Sequence, residues 1–285
     1  MIPEAQRTLK SVAVVQGYGV HTGERSTIRL YPAKENTGVV FKSSRGLIGA
    51  DLFVLGSSKS NTCLKSDGFY IETVEHLLGC LYGMFIDNVI VELYGPELPI
   101  GDGSAGIFYE VLQNAGIEEQ NKSRSYLHLA RPILIEQPMN RRISITPDFM
   151  YEIHCGLTWH PRIIGEYTYI HGETDFSEIA YARTFASKDY VDALRRERRG
   201  LASRAGENYI DIDNGETRLD NEFVKHKVLD ILGDLSLLCG VYLKASVVAL
   251  NSGHGLHHQL MREIYSGSRE CIHTRDCHDW KECFN

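Results

Sequence analysis

The chain lacks most of what would place it outside the ordinary packed proteins. Its longest apolar stretch, Leu235 to Leu250, is interrupted by Gly240 and Lys244 and falls short of the roughly 20 residues that span a bilayer. No stable membrane insertion is expected. The start, Met1-Ile-Pro-Glu-Ala-Gln-Arg-Thr-Leu-Lys10, has no apolar segment and no small-residue cleavage site, so a cytoplasmic location is expected. Proline is sparse, at 8 in 285 residues, which excludes collagenous and extended proline-rich chains. Positive charge is not in excess: 30 Lys and Arg against 37 Asp and Glu leave −7, so no general attraction to nucleic acid is expected. No Gly-x-x-x-x-Gly-Lys-Ser/Thr occurs, and the glycine-rich run Gly101-Asp-Gly-Ser-Ala-Gly106 reads as a turn into a helix. A nucleotide-dependent kinase or dehydrogenase is therefore disfavoured.

Cysteine is present but unsuited to a disulfide framework. Cys63, Cys80, Cys155 and Cys239 stand in apolar contexts, as buried reduced thiols do. Cys271, His273, Cys277, His278 and Cys283 crowd the carboxyl terminus without the paired Cys-x-x-Cys spacing of a structural zinc site. A frayed, reduced tail from about residue 266 is expected.

What is present builds a core. At 285 residues and 43% hydrophobic composition, the chain is long enough for about two domains. Ser11 to Lys42 reads as a meander of three strands. Thr73 stands as a cap before a helix with apolar positions Val74, Leu77, Leu78, Leu81 and Phe85, and a second helix runs from Ser104, its N-cap, to Ala115, with Gly116 just beyond. The polar run Glu118 to Ser125 is the candidate linker, giving domains of residues 1–122 and 123–285. Strands follow near Tyr126–Glu136, Arg142–Thr146, Tyr151–Thr158, Glu166–His171 and Ala245–Asn251, with helices at Asp189–Arg199 and from about Glu222 to Cys239. Strands and helices without βαβ alternation predict an α+β fold of two layered sheet-and-helix domains.

Within that frame, His226 and Asp230 lie four apart and share one helix face, as two ligands of one metal do. Glu75-His76 adds an imidazole with a carboxylate beside it, and His, His and Asp make a three-ligand zinc set with a fourth position left for water. Taken pair by pair, spacing fits a surface ion pair and a core histidine more simply. His254, after the strand Ala245–Asn251, reads as a loop residue, and His257 and His258 as exposed polar residues beginning a helix. The run Arg195-Arg-Glu-Arg-Arg199 reads as a solvated helix face, with a grip on a diphosphate as the alternative.

Several segments in order are similar to the bacterial UDP-3-O-acyl-N-acetylglucosamine deacetylases, zinc enzymes of lipid A biosynthesis. They are Gln6-Arg-Thr-Leu-Lys10, Gly19-Val-His-Thr-Gly23, Thr73-Val-Glu-His-Leu77, Ile86-Asp-Asn88, Pro96-Glu-Leu-Pro-Ile-Gly-Asp-Gly-Ser-Ala105, Ala182-Arg-Thr-Phe185, Phe223 to Asp234 and Ser252-Gly-His254. Their joint occurrence outweighs the pairwise reading. The resemblance implies a two-domain α+β fold with the active site between the domains and a UDP-linked acylated amino sugar as substrate. It implies zinc on His76, His226 and Asp230, with Glu75 as general base and His254 as general acid oriented by Asp234. Thr184 would help hold the oxyanion, and Lys227 and Phe185 would contact substrate. Two departures stand out. Ala186-Ser187 replace the family's usual Gly-Phe, and His257-His258 replace a common Asn pair. Other outcomes at the same residues are a paralogue acting on a different N-acylated sugar and a non-catalytic zinc-binding relative. No oligomer is indicated, and a monomer is expected.

Overall fold

Alternation in the amino-terminal strands turns one face of a sheet inward. In Arg25–Pro32 the residues Ser26, Ile28 and Leu30 are buried while their neighbours are not, the period of two expected of a half-buried strand. A computed structural model describes residues 3–56, 60–66, 68–238 and 241–266, with the backbone of 272–274. In it this strand belongs to a five-stranded sheet in the order Ala13–Tyr18, Arg25–Pro32, Val89–Tyr94, Val39–Ser43, Gly46–Gly49. A seven-stranded sheet drawn from the second half is built around Tyr242–Leu250. That strand pairs antiparallel with Arg141–Pro147 and parallel with Tyr151–His160. With these mixed sheets and six helices among the described residues, the fold is α+β.

The helices are α1 (Glu75–Gly83), α2 (Gly106–Ala115), α3 (Ser177–Ala180), α4 (Lys188–Arg196), α5 (Glu222–Leu235) and α6 (His254–Ser266). Every residue of α1 is buried, and α1 packs on α5, which in turn lies against Tyr151–His160 and Ile163–Ile170. Two glycines allow the helices to touch backbone to backbone. A Cβ on Gly233 would stand 2.1 Å from the Glu75 carbonyl oxygen, and one on Gly79 would stand 3.0 Å from that of Leu229. This contact brings the first turn of α1 beside the face of α5 that carries His226 and Asp230.

Several local expectations need correction. The polar run at Glu118 is not irregular: Ile117–Ser123 is a strand paired antiparallel with Ala5–Leu9. Its polarity reports solvent-facing side chains, while the backbone hydrogen bonds that define a strand do not depend on side-chain polarity. Thr73 does not cap α1. Its backbone is left-handed, at φ 60°, and its hydroxyl instead donates to Glu97 at 2.7 Å. Helix α2 begins at Gly106, so Ser104 lies two residues early, although its Oγ still accepts from the Gly106 N–H at 3.1 Å. Cys63, Cys80 and Cys155 are buried free thiols. Cys239 and the tail residues Cys271, Cys277, His278 and Cys283 lie outside the described residues, as does the side chain of His273. No described helix is long and apolar enough to cross a membrane.

Candidate active site

Burial and helix phase together converge three ligand-type side chains. His226 and Asp230, one turn apart on α5, and His76, at the start of α1, present atoms that all lie within 4.8 Å of one another. Asp230 Oδ1 stands 3.4 Å from His226 Nε2 and 3.7 Å from His76 Nε2. All three residues are at most 4% exposed, yet Asp230 Oδ1 has no hydrogen-bond partner. A buried carboxylate oxygen left this way is costly unless something else occupies it. Burial pushes the His76 imidazole down to about 3, and burial also lowers His226. Both rings are therefore neutral and can offer a lone pair. His226 Nδ1 donates to the Ala182 carbonyl at 2.9 Å, which leaves Nε2 free to face the centre, as metal-ligating histidines do. Burial opposes charge on Asp230, but the Lys227 ammonium, with His254 beside it, holds it well below the ordinary carboxylate range. The donor set fits a divalent metal of borderline softness.

A carboxyl and an imidazole stand beside this group. Glu75 accepts from the Thr62 N–H at 3.0 Å, and burial raises its carboxyl to about 8. His254 Nε2 is 3.8 Å from Glu75 and 4.0 Å from Asp230. Its Nδ1 donates to Asp234 Oδ2 at 2.8 Å. Burial works against a charged His254, but Asp234 and Asp230 outweigh it and lift the ring to about 9. His254 is not a loop residue: it opens α6, where the Gly253 carbonyl accepts from Leu256 and His257 and starts the first turn. Nor are His257 and His258 exposed. They are 0% and 4% accessible, and they fold inward around Asp234 and Thr62 because those buried polar groups need donors.

The group opens into a cleft of about 260 Å³ that Thr184, Phe185 and Lys227 help to line. Lys227 Nζ meets Asp230 Oδ2 at 2.5 Å and lies 5.3 Å over the Phe185 ring. Tyr190, Val191 and Leu194 of α4 supply an apolar wall. The Arg run is split: helix α4 ends at Arg196, Arg198 is left-handed at φ 58°, and only Arg199 turns inward, pairing with Glu72 at 2.8 Å and Asn61 at 3.0 Å. Sequence reasoning gave no role to His21, Asn61, Thr62 or Glu97. His21 and Asn61 line the cleft, and buried Glu97 ties His21, Thr22 and Thr73 together. The glycine-flanked Gly19-Val-His-Thr-Gly23 segment was the available signal, since a Cβ on Gly19 would fall 2.3 Å from Glu97 Oε2.

A buried His-His-Asp cluster, with a carboxyl and an imidazole tied to its own carboxylate beside it, suits a hydrolase of the metal-dependent class. The family model for UDP-3-O-acyl N-acetylglycosamine deacetylase matches residues 6–266, and the chain belongs to that family. It is 35% identical over 274 residues to UDP-3-O-acyl-N-acetylglucosamine deacetylases of two Coxiella burnetii strains, Dugway 5J108-111 and RSA 493. These alignments cover 91% of this chain and 89% of each relative.

Proposed function

We propose that the chain hydrolyses the N-acetyl group of UDP-3-O-acyl-N-acetylglucosamine, releasing acetate, in lipid A biosynthesis. The observation that carries this reading is the placement of Glu75 and His254 side by side, 3.8 Å apart, next to one ligand cluster in a cleft with an apolar wall. His76, His226 and Asp230 would hold zinc, which when bound supplies a Lewis acid that brings the pKa of a water to about 7. Glu75 takes a proton from the attacking water as it adds to the acetamide carbonyl. Thr184 lies along the cleft where it can donate to the developing oxyanion. His254 then protonates the departing amine through Nε2, while Asp234 holds its other nitrogen. Lys227 and Phe185 contact the sugar nucleotide, and Phe185, Tyr190, Val191 and Leu194 form a surface suited to the acyl chain.

The residues divide between an amino-terminal domain, 1–122, that contributes Glu75 and His76 and a carboxy-terminal domain, 123–285, that contributes the rest. A cytoplasmic monomer is part of the same reading, since UDP-sugars are made in the cytoplasm. The test is a deacetylation assay on acylated and unacylated UDP-N-acetylglucosamine with metal quantified on the same sample. The reading expects about one zinc per chain and a strong preference for the acylated substrate. Equal turnover of both would move the substrate to another N-acylated sugar, and no turnover by the zinc-loaded protein would end the enzymatic reading.

A further inference from the structure

Asp234 sits in a shell richer than orientation of one histidine requires. Its Oδ2 accepts from two imidazoles at once, His254 Nδ1 at 2.8 Å and His257 Nδ1 at 2.7 Å. Its Oδ1 accepts from the Thr62 hydroxyl at 2.5 Å. That hydroxyl has one proton and has given it to Asp234, so toward His258 Nε2, 2.9 Å away, it can only accept. On its far side His257 Nε2 meets Ser252 Oγ at 3.0 Å. Asp234 is 0% exposed, so protein groups must satisfy its oxygens.

The consequence falls on His254. With both oxygens of Asp234 engaged, the carboxylate cannot rotate without breaking a bond to Thr62 or His257. The His254 proton directed at it must then stay on Nδ1. His254 is left with Nε2 as its working nitrogen, and Nε2 is the atom turned toward Glu75 and Asp230. Thr62 belongs to the amino-terminal half and the histidines to the carboxy-terminal half, so the shell also joins the two parts of the chain that carry the site.

We infer that Thr62 and His257 are positioning residues which, by clamping Asp234 from opposite sides, fix the tautomer and aim of His254. Neither touches the ligand cluster. The inference rests on the proposed role of His254 as proton donor, and the experiment separates the two. Thr62→Val and His257→Phe remove the donors. Thr62→Ser restores the hydroxyl, and His257→Asn places an amide N–H where Nδ1–H stood. Each full-length variant is assayed for kcat, KM and bound metal, and its histidine imidazoles are observed by ¹H–¹⁵N NMR, with the His254 signal assigned by its loss in His254→Gln.

For Thr62→Val and His257→Phe, kcat is expected to fall about 10-fold or more, with KM within about 2-fold and metal retained. The hydrogen-bonded Nδ1–H signal of His254 should broaden or vanish in the same two variants. Thr62→Ser and His257→Asn should recover most of both readouts. An unmoved His254 signal in Thr62→Val and His257→Phe would overturn the clamp, as would conservative variants that fall as far as the disruptive ones. A wild-type protein without deacetylase activity would remove the function proposed above, and the NMR readout would still decide the positioning.

Discussion

Asp230 and Asp234 stand one turn apart on the same helix face, both almost fully buried, and they are equipped in opposite ways. Asp234 has both oxygens engaged by donors, whereas Asp230 keeps Oδ1 unpartnered among two neutral imidazoles. Identical side chains in one helix therefore acquire different chemistry from what faces them. The unsatisfied carboxylate is the one suited to a metal, and the satisfied one is suited to holding another side chain still.

The largest expected effect breaks that comparison directly. Asp230→Ala should lose both bound metal and activity, as should His226→Ala. Asp234→Asn should keep its metal and lose about 10²- to 10⁴-fold in kcat, the usual contribution of a well-placed general acid. Glu75→Gln belongs with Asp234→Asn, since neither side chain is placed as a ligand. Metal content by mass spectrometry beside single-sample kinetics reads all four. If Asp234→Asn shed metal as readily as Asp230→Ala, the division of labour on α5 would be wrong.

Next is the contact that brings the two helices together. Gly233→Ala puts a methyl where the Glu75 carbonyl already lies, 2.1 Å from the new Cβ, and backbone cannot yield as a flexible side chain would. Overpacking of this kind costs about 1–3 kcal/mol. Because Glu75 and His76 ride on the displaced helix, metal affinity should fall with stability. Denaturant unfolding and a competitive metal titration would show it, and a variant with wild-type metal affinity would mean that the helices set the ligands independently.

The contrast between the carboxylates also shows what a sequence reveals. The four-residue spacing of 226, 230 and 234 was legible because a helix converts spacing into a shared face. Glu75-His76 was legible because the motif is contiguous. Thr62 was not, because its partner Asp234 is 172 residues away and no local pattern marks a threonine as a donor to a buried carboxylate. His257 and His258 were misread for a related reason: a histidine pair after glycine looks solvent-facing until the carboxylate it will satisfy is known. The strand at Ile117–Ser123 was missed because polarity records exposure, while pairing with Ala5–Leu9 is set by the backbone.

A third measurement sharpens the comparison away from the site. His171 is buried even more deeply than His254 but has no carboxylate to offset desolvation, and burial carries it down to about 3. It donates Nε2–H to the Tyr82 carbonyl at 3.1 Å and stacks on Phe85 with 4.1 Å between ring centres. The unfolded chain takes up this proton near pH 6.5 and the folded chain near 3, so between those values the unfolded state binds more protons. Stability from this group is complete above pH 6.5 and falls as pH drops, by about 1.4 kcal/mol per unit within the window. His171→Phe should remove that slope while lowering stability at neutral pH through the lost hydrogen bond. Parallel wild-type and variant curves from pH 7 to 4 would show that His171 takes no part.

The smallest effect concerns carboxylate pairing at the surface. Arg199 meets Glu72 at 2.8 Å, with side chains 26% and 23% exposed, and water and salt screen such a pair far more than they screen Asp234. Arg199→Gln should cost at most about 1 kcal/mol, and because Asn61 lines the cleft and also contacts Arg199, a change in KM should accompany it. Arg196 and Arg198 are exposed beyond the end of the cleft-lining face, so Arg196→Gln and Arg198→Gln should leave both stability and KM unchanged. Measuring KM for the three variants at low and physiological salt distinguishes the positions. If Arg196→Gln or Arg198→Gln raised KM, and wild-type KM climbed with salt, the run would be gripping the diphosphate from the solvent side. Phosphate recognition would then extend beyond Lys227.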